Sequence, residues 1–212
     1  HAGDPVIMNK TVRLALAHRV DLGAHVGFPD LLGFGRRQMQ VDPAELAQYV
    51  LYQLGALAGI ASVVGHRITH MSFHGALGNM AAADYALAEP LVEAVAAFDR
   101  KLIISVSTNT QIERAAHKFG LKVATTFLAD RAYTDDGDLV SRKLPGAVIK
   151  EPEAVLQRVK RLLDDGVITS ITGKKLPIKV QSILLHGDTP GAVENARAIW
   201  QEIESGNGRI VP

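Results

Sequence analysis

The sequence predicts an α/β fold with parallel strands, arranged as a closed or nearly closed (β/α) barrel in a single domain over residues 1–212. Three observations carry that reading. Short apolar runs alternate with amphipathic stretches of helical length five or six times, and strand-then-helix repetition implies parallel strands joined by right-handed crossovers. No GxGxxG or Walker-type loop follows any run, which weakens the competing doubly wound nucleotide-binding sheet. Polar, catalytically capable residues recur just past the carboxyl ends of the runs, where a parallel barrel gathers its active site.

Asp4-Pro5 reads as an N-cap followed by the first helical residue, opening a helix through about Arg19. Its apolar positions, Val6, Ile7, Val12, Leu14 and Leu16, form no single stripe, so a largely buried helix is expected. A strand over Val20 to Val26 follows, then a Gly/Pro-rich loop from Gly27 to Arg37 without periodicity, of the long kind that often carries function. Asp42-Pro43 opens a second helix, with Glu45 completing a capping-box-like start, and Gly65 stops it after Val64. Arg67 to Phe73 is the next strand, ending at His74-Gly75. Ala81 to Phe98 is helical, Leu102 to Val106 is a strand, and Thr110 to Phe119 is a helix closed by Gly120. Leu121 to Phe127 is a strand leading to Ala129-Asp130-Arg131 and a polar loop through Pro145. Glu151-Pro152 starts a helix to about Asp165, and Lys179 to Leu185 is a strand ending in His186-Gly187-Asp188. Thr189-Pro190 caps a last helix to about Ser205.

Composition narrows the function classes. With 23 basic and 22 acidic side chains the formal net charge is +1, and no Lys/Arg-rich block stands out, so no nucleic-acid partner is expected. A 47% apolar share with 21% charged residues is that of a folded globular chain. No run of 18 uncharged apolar residues is read, so no membrane span is expected. The absence of cysteine removes a thiol nucleophile, a thiolate metal site and a disulfide framework, and it fits a reducing compartment, the cytoplasm. The chain opens on His1 without a signal-peptide pattern and is expected to begin inside a longer protein.

The predicted strand ends present His25, His74, Ser107 to Asn109, Asp130-Arg131, and His186 with Asp188. The start echoes the end: His1-Ala-Gly-Asp4-Pro5 resembles His186-Gly-Asp188-Thr-Pro190. Each places a His and an Asp ahead of a helix, where the Asp can cap free N–H groups while the His faces the pocket. His18, His66, His70 and His117 lie on helices or before strand ends and read as surface or core residues. Neutral His with Asp suits two chemistries, ligation of a divalent metal that activates water, or metal-free work with His as base and Asp as orienter. For a metal the candidates are His1, His25 and Asp4, although no HExxH spacing occurs. The absence of a GxSxG elbow argues against a serine α/β-hydrolase. The glycine-flanked pair Arg36-Arg37 suits a carboxylate or phosphate, and Tyr133 is a candidate pocket donor. Plain structural roles compete with each: Asp4 and Asp188 as caps, Arg36 and Arg37 as solvated loop charges, Asp130-Arg131 as a local ion pair.

An ordered set of motifs then carries a resemblance. It comprises His1-Ala-Gly-Asp4, Gly23-Ala-His25 with Phe28-Pro-Asp30, Gly33-Phe-Gly-Arg36-Arg37, His74-Gly75, Ala129-Asp-Arg131 with Tyr133, Asp136-Gly137 with Leu139-Val140 and Arg142, Ser170-Ile-Thr-Gly173, and Leu185-His-Gly-Asp188. Over essentially its whole length the chain resembles the LamB/YcsF family. The resemblance implies a seven-stranded (β/α) barrel related to the glycoside hydrolase/deacetylase folds. It also implies ATP-dependent opening of the lactam 5-oxo-L-proline to L-glutamate, with ATP shared with 5-oxoprolinase subunits B and C. The family's opening Asp-Leu-Asn strand has no counterpart ahead of His1, so an incomplete barrel lacking its first strand is expected.

Several positions depart from the family pattern. Ser72-Phe73 stands where the family reads Lys-Pro, Gly78 replaces a Tyr, Thr126 a Glu, and Ala132 and Ser141 a Gly and a Pro. These departures keep open a diverged paralogue acting on another small amide or lactam, a non-catalytic partner in a multi-subunit enzyme, and a metal-dependent carbohydrate deacetylase. On the leading reading, a hydrolase of a cyclic amide, His74 and His186 are the acid/base candidates. Asp130 and Asp188 join them in the catalytic set, and with Asp4 they serve orientation or metal ligation. Arg36, Arg37 and Arg131 would hold the substrate carboxylate or a phosphorylated intermediate, and His1, Asp4, His25 and Tyr133 complete the substrate-binding set.

Overall fold

The computed structural model describes residues 1–206 and 208–211. The chain divides into two compact units, His1–Ala124 and Thr125–Pro212.

In the first unit, strands β1 (Leu22–Val26), β2 (Ile68–Phe73) and β3 (Ile103–Val106) pair in parallel in that order. The β1–β2 register sets His25 opposite Ser72. Helix α1 (Pro5–Ala17) precedes them, and α2 (Pro43–Val64) joins β1 to β2. Helix α2 keeps the predicted ends, because the Asp42 carboxylate accepts from the Ala44 and Glu45 amides and Gly65, at φ 82°, turns the chain left-handed out of the last turn. Among the described residues α2 is the one helix long and apolar enough to cross a membrane by length and composition, although Gln48 and Gln53 interrupt its apolar residues. Here it packs on α1, β1, β2 and the later helix α4 (Tyr85–Phe98), burying Leu46, Ala47, Val50, Leu54 and Ala61.

Helix α1 corrects an expectation. It is mostly exposed, with only Val12 buried and Val6 at 77% exposure, because its contact with α2 runs along a narrow row at Val12 and Ala15. The stretch expected as one helix from Ala81 is two, α3 (Gly75–Ala83) and α4. Asp84 separates them: its carboxylate accepts from the Ala86 amide and restarts the chain as an N-cap. Helix α5 (Gln111–Lys118) lies within the stretch expected as helical, and Thr110, expected as its first residue, is its N-cap, accepting from the Glu113 amide. The core gathers Val26, Leu54, Met71, Leu91, Val95 and Ile104.

Strand β4 (Lys122–Leu128) enters the second unit and pairs in parallel with β7 (Ser182–Leu184). Between them lie α6 (Pro152–Asp165) and an antiparallel pair that the sequence did not predict, β5 (Val167–Thr169) with β6 (Lys175–Pro177). Helix α7 (Ala192–Ser205) starts later than expected. Gly191 is its N-cap, so neither Thr189-Pro190 nor Asp188 caps it. Phe127, Tyr133, Val155, Val159, Leu162 and Ile199 form this unit's core.

Candidate functional site

In the first unit a histidine cluster grows from adjacent strands and one loop. His25 lies within β1, and His74 follows the last residue of β2. Residues 27–37 are held by the Asp30–Arg37 ion pair, by the Gly33 amide donating to Asp30 at 2.9 Å, and by Gln53, which bonds both polar groups of Gly27. The Arg37 hydrogen bond, ahead of smaller opposing and supporting effects, lowers the Asp30 pKa to about 2. Within this loop Phe34 adopts φ 54°, a strained region for an aromatic residue, and its carbonyl meets His74 Nε2 at 2.7 Å. Gly75, at φ 53°, closes the arrangement, since a Cβ there would meet the Gly35 carbonyl oxygen at 2.7 Å.

Hydrogen-bond roles follow by elimination. A carbonyl only accepts, so His74 Nε2 carries the proton and the neutral ring keeps its lone pair on Nδ1. That nitrogen lies 3.0 Å from His25 Nε2, which therefore donates. His25 Nδ1 in turn accepts from Ser72 Oγ at 2.7 Å. Burial, then repulsion from His25, pushes the His74 pKa down to about 4, against the partial support of the Phe34 carbonyl.

The ligand-capable nitrogens of His1, His25 and His74 lie within 4.8 Å of one another. His25 Nε2 and His74 Nδ1 fit a divalent ion, because each outer nitrogen has an oxygen, Ser72 Oγ or Phe34 O, that can receive its proton. His1 fits less well. Its ring stacks on His74 at 3.5 Å and 7°, and in-plane lone pairs of two stacked rings do not aim at one point. Asp4 does not join the cluster through its carboxylate, which accepts from the Ile7 amide at 2.8 Å as the α1 cap. Arg36 lies over the Phe34 ring at 5.0 Å, and Arg37 is taken by Asp30.

In the second unit, Asp130 and His186 come together from the ends of β4 and β7. The Asp130 side chain is 1% exposed, accepts the His186 amide at 3.2 Å, and faces His186 Nδ1 at 2.8 and 2.9 Å. Burial alone would raise the Asp130 pKa, but hydrogen bonds and charge attraction from His186 hold it below the usual value. Arg142 Nη2 meets His186 Nε2 at 2.9 Å. Arginine only donates and a carboxylate only accepts, so His186 carries its proton on Nδ1 and a lone pair on Nε2. That is the tautomer of a general base.

Two arginines build the frame of this dyad. Arg158 on α6 donates to the carbonyls of Ala129 and Arg131, the residues flanking Asp130, at 3.2 and 2.7 Å. Arg131, expected to hold substrate, is 4% exposed and donates to the Ala147 and Val140 carbonyls, fastening the loop that carries Arg142. Tyr133 is 1% exposed, stacks on Phe127, and receives the Leu128 amide at its hydroxyl, so it acts as a core residue. Asp188 is exposed on the turn before α7.

The sequence model of the LamB/YcsF family matches residues 1–212. The chain belongs to the LamB/YcsF family. Among its relatives is a 5-oxoprolinase A subunit, numbered 1, of Pseudomonas syringae pv. tomato, 62% identical over all of this chain and 83% of that protein. Another is a 5-oxoprolinase A subunit, numbered 2, of Ralstonia nicotianae, 63% identical over all of this chain and 82% of that protein. A crystal structure of the lactam utilization protein from Thermus thermophilus matches with a TM-score of 0.91 at 37% identity, covering 99% of this chain and 84% of that one. The α/β class expected from the sequence is therefore that of a LamB/YcsF member.

Within this family member, sequence reasoning reaches both histidine sites but misses three residues that shape them. In the sequence Ser72 stands out only as a departure and Arg142 only as part of a motif, while Arg158 gives no signal. The one signal that could have found Ser72 is the β1–β2 pairing of two polar positions, which requires the strand register.

Proposed function

We propose that this chain is the A subunit of a 5-oxoprolinase, opening the lactam of 5-oxo-L-proline to L-glutamate in the cytoplasm together with subunits B and C. The observation that carries the reading is the Asp130–His186 dyad, with the names of close relatives as its context. His186 Nε2 takes a proton from the water attacking the lactam carbonyl, and Asp130 stabilises the imidazolium that results. The ring C–N bond then breaks, the nitrogen takes the proton from His186, and the carbonyl carbon leaves as the side-chain carboxylate of glutamate. ATP, shared with the partner subunits, would activate the lactam by passing its γ-phosphoryl group to the carbonyl oxygen, leaving ADP, and that group would depart as phosphate as the carboxylate forms. A divalent ion held by His25 Nε2 and His74 Nδ1 would supply Lewis-acid polarisation of an oxygen in the first unit.

A deacetylase reading draws support from the same histidine pair, but it requires a carboxylate ligand, and Asp4 is engaged at the α1 cap. The test is glutamate release from 5-oxoproline and ATP by the full-length protein with subunits B and C. Turnover above that of B and C without this chain supports the assignment, and no turnover alongside a working control for the same role overturns it.

A further inference from the structure

We infer that Arg142 is a specificity residue that masks the base until an anionic substrate draws it away. The inference rests on the lactam reading of the Asp130–His186 dyad. An unprotonated imidazole nitrogen has one lone pair, and Arg142 Nη2 occupies the one on His186 Nε2 at 2.9 Å. With that lone pair engaged, His186 cannot accept a proton from water. The imidazole is otherwise fixed, since Asp130 takes Nδ1 and binds the backbone amide, so release depends on Arg142.

Arg142 is suited to move. It is exposed, whereas the His186 side chain it reaches is 19% exposed and Asp130 behind it is buried. Its loop is anchored on both sides, at Val140 and Ala147, by the buried Arg131 guanidinium, so the side chain swings from a fixed base. A neutral imidazole is a weaker acceptor for guanidinium than a carboxylate, which accepts two parallel, charge-assisted bonds. A substrate carrying a carboxylate next to its scissile amide therefore outcompetes His186 for Arg142, and the same contact that binds the substrate frees the base. A neutral lactam leaves the base masked.

The experiment compares 5-oxoproline with 2-pyrrolidinone, the same ring without its carboxylate, in the full-length protein assembled with subunits B and C. Arg142→Ala is expected to lower kcat/KM for 5-oxoproline by about tenfold or more, chiefly through KM, while turnover of 2-pyrrolidinone rises because its base is no longer masked. Arg142→Lys, which retains charge without the planar fork, falls between. The second readout is the ¹⁵N signal of His186 Nε2, expected to shift when 5-oxoproline saturates the wild type and to stay in place with 2-pyrrolidinone. An unchanged preference between the two lactams in Arg142→Ala, or a His186 signal indifferent to 5-oxoproline, overturns the proposal. An assembly that opens neither lactam overturns the lactam reading instead, and the nitrogen signal still decides whether an anion moves Arg142 off His186.

Discussion

Asp130 holds His186 at two points, through the backbone amide at 3.2 Å and through Nδ1 at 2.8 Å, so the position and the tautomer of the ring have a single cause. Asp130→Asn keeps the shape but removes the charge that favours the imidazolium. We expect kcat for 5-oxoproline opening to fall by roughly 10²–10⁴, the usual share of general-base catalysis. Steady-state kinetics checks this, and a variant within twofold of wild type would remove Asp130 from the mechanism.

Gly75 sits where a side chain has no room. Its φ of 53° strains any L-residue, and a Cβ would press on the backbone of Gly35, whose carbonyl also accepts the Ala76 amide at 3.0 Å. Gly75→Ala is expected to cost about 1–3 kcal/mol of unfolding free energy, read from urea denaturation, because backbone rather than a flexible side chain must yield.

The low pKa of His74 makes stability depend on pH in a defined direction. The unfolded chain protonates this imidazole near 6.5, and the folded chain only at about 4. Its contribution is thus fully present above about pH 6.5 and is lost as pH falls towards 4, because the unfolded state binds the proton first. Urea midpoints measured between pH 7 and 4 should drop more steeply for wild type than for His74→Gln. Parallel slopes would contradict the burial argument.

The His25–His74 pair makes a metal prediction that does not depend on turnover. Zinc titrated into the protein should bind, and His25→Ala should abolish that binding. Ser72→Ala, which removes the oxygen that receives the His25 proton once the metal takes Nε2 and the proton moves to Nδ1, should weaken it by about 10–100-fold. Isothermal titration calorimetry separates these outcomes, and equal affinity in wild type and Ser72→Ala would show that the hydroxyl does not orient the ligand.

Local chemistry is legible in the sequence, and long-range register is not. The ends of α2 follow from Asp42 and Gly65, which act within a few residues of where they stand. Asp84 is hidden because apolar, alanine-rich sequence continues on both sides of it, and the break depends on a single cap. The three-residue strands β5 and β6 are too short to show a period. Asp130 and His186 stand out because the parallel strands β4 and β7 deliver their carboxyl-end residues to one edge, and His74 stands out because it directly follows β2. Ser72 and His25 are 47 residues apart and meet only through the β1–β2 register. Arg131 and Tyr133 look like site residues in the motif, yet burial turns their polar groups onto backbone.

His186, held by Asp130, is on this mechanism the base that opens the lactam, and His186→Gln tests that role most directly. Glutamate formation from 5-oxoproline and ATP is measured with this variant assembled with subunits B and C, after its melting profile has been matched to wild type. The expected result is a loss of roughly 10²–10⁴ in kcat. Glutamate formation at the wild-type rate would contradict it.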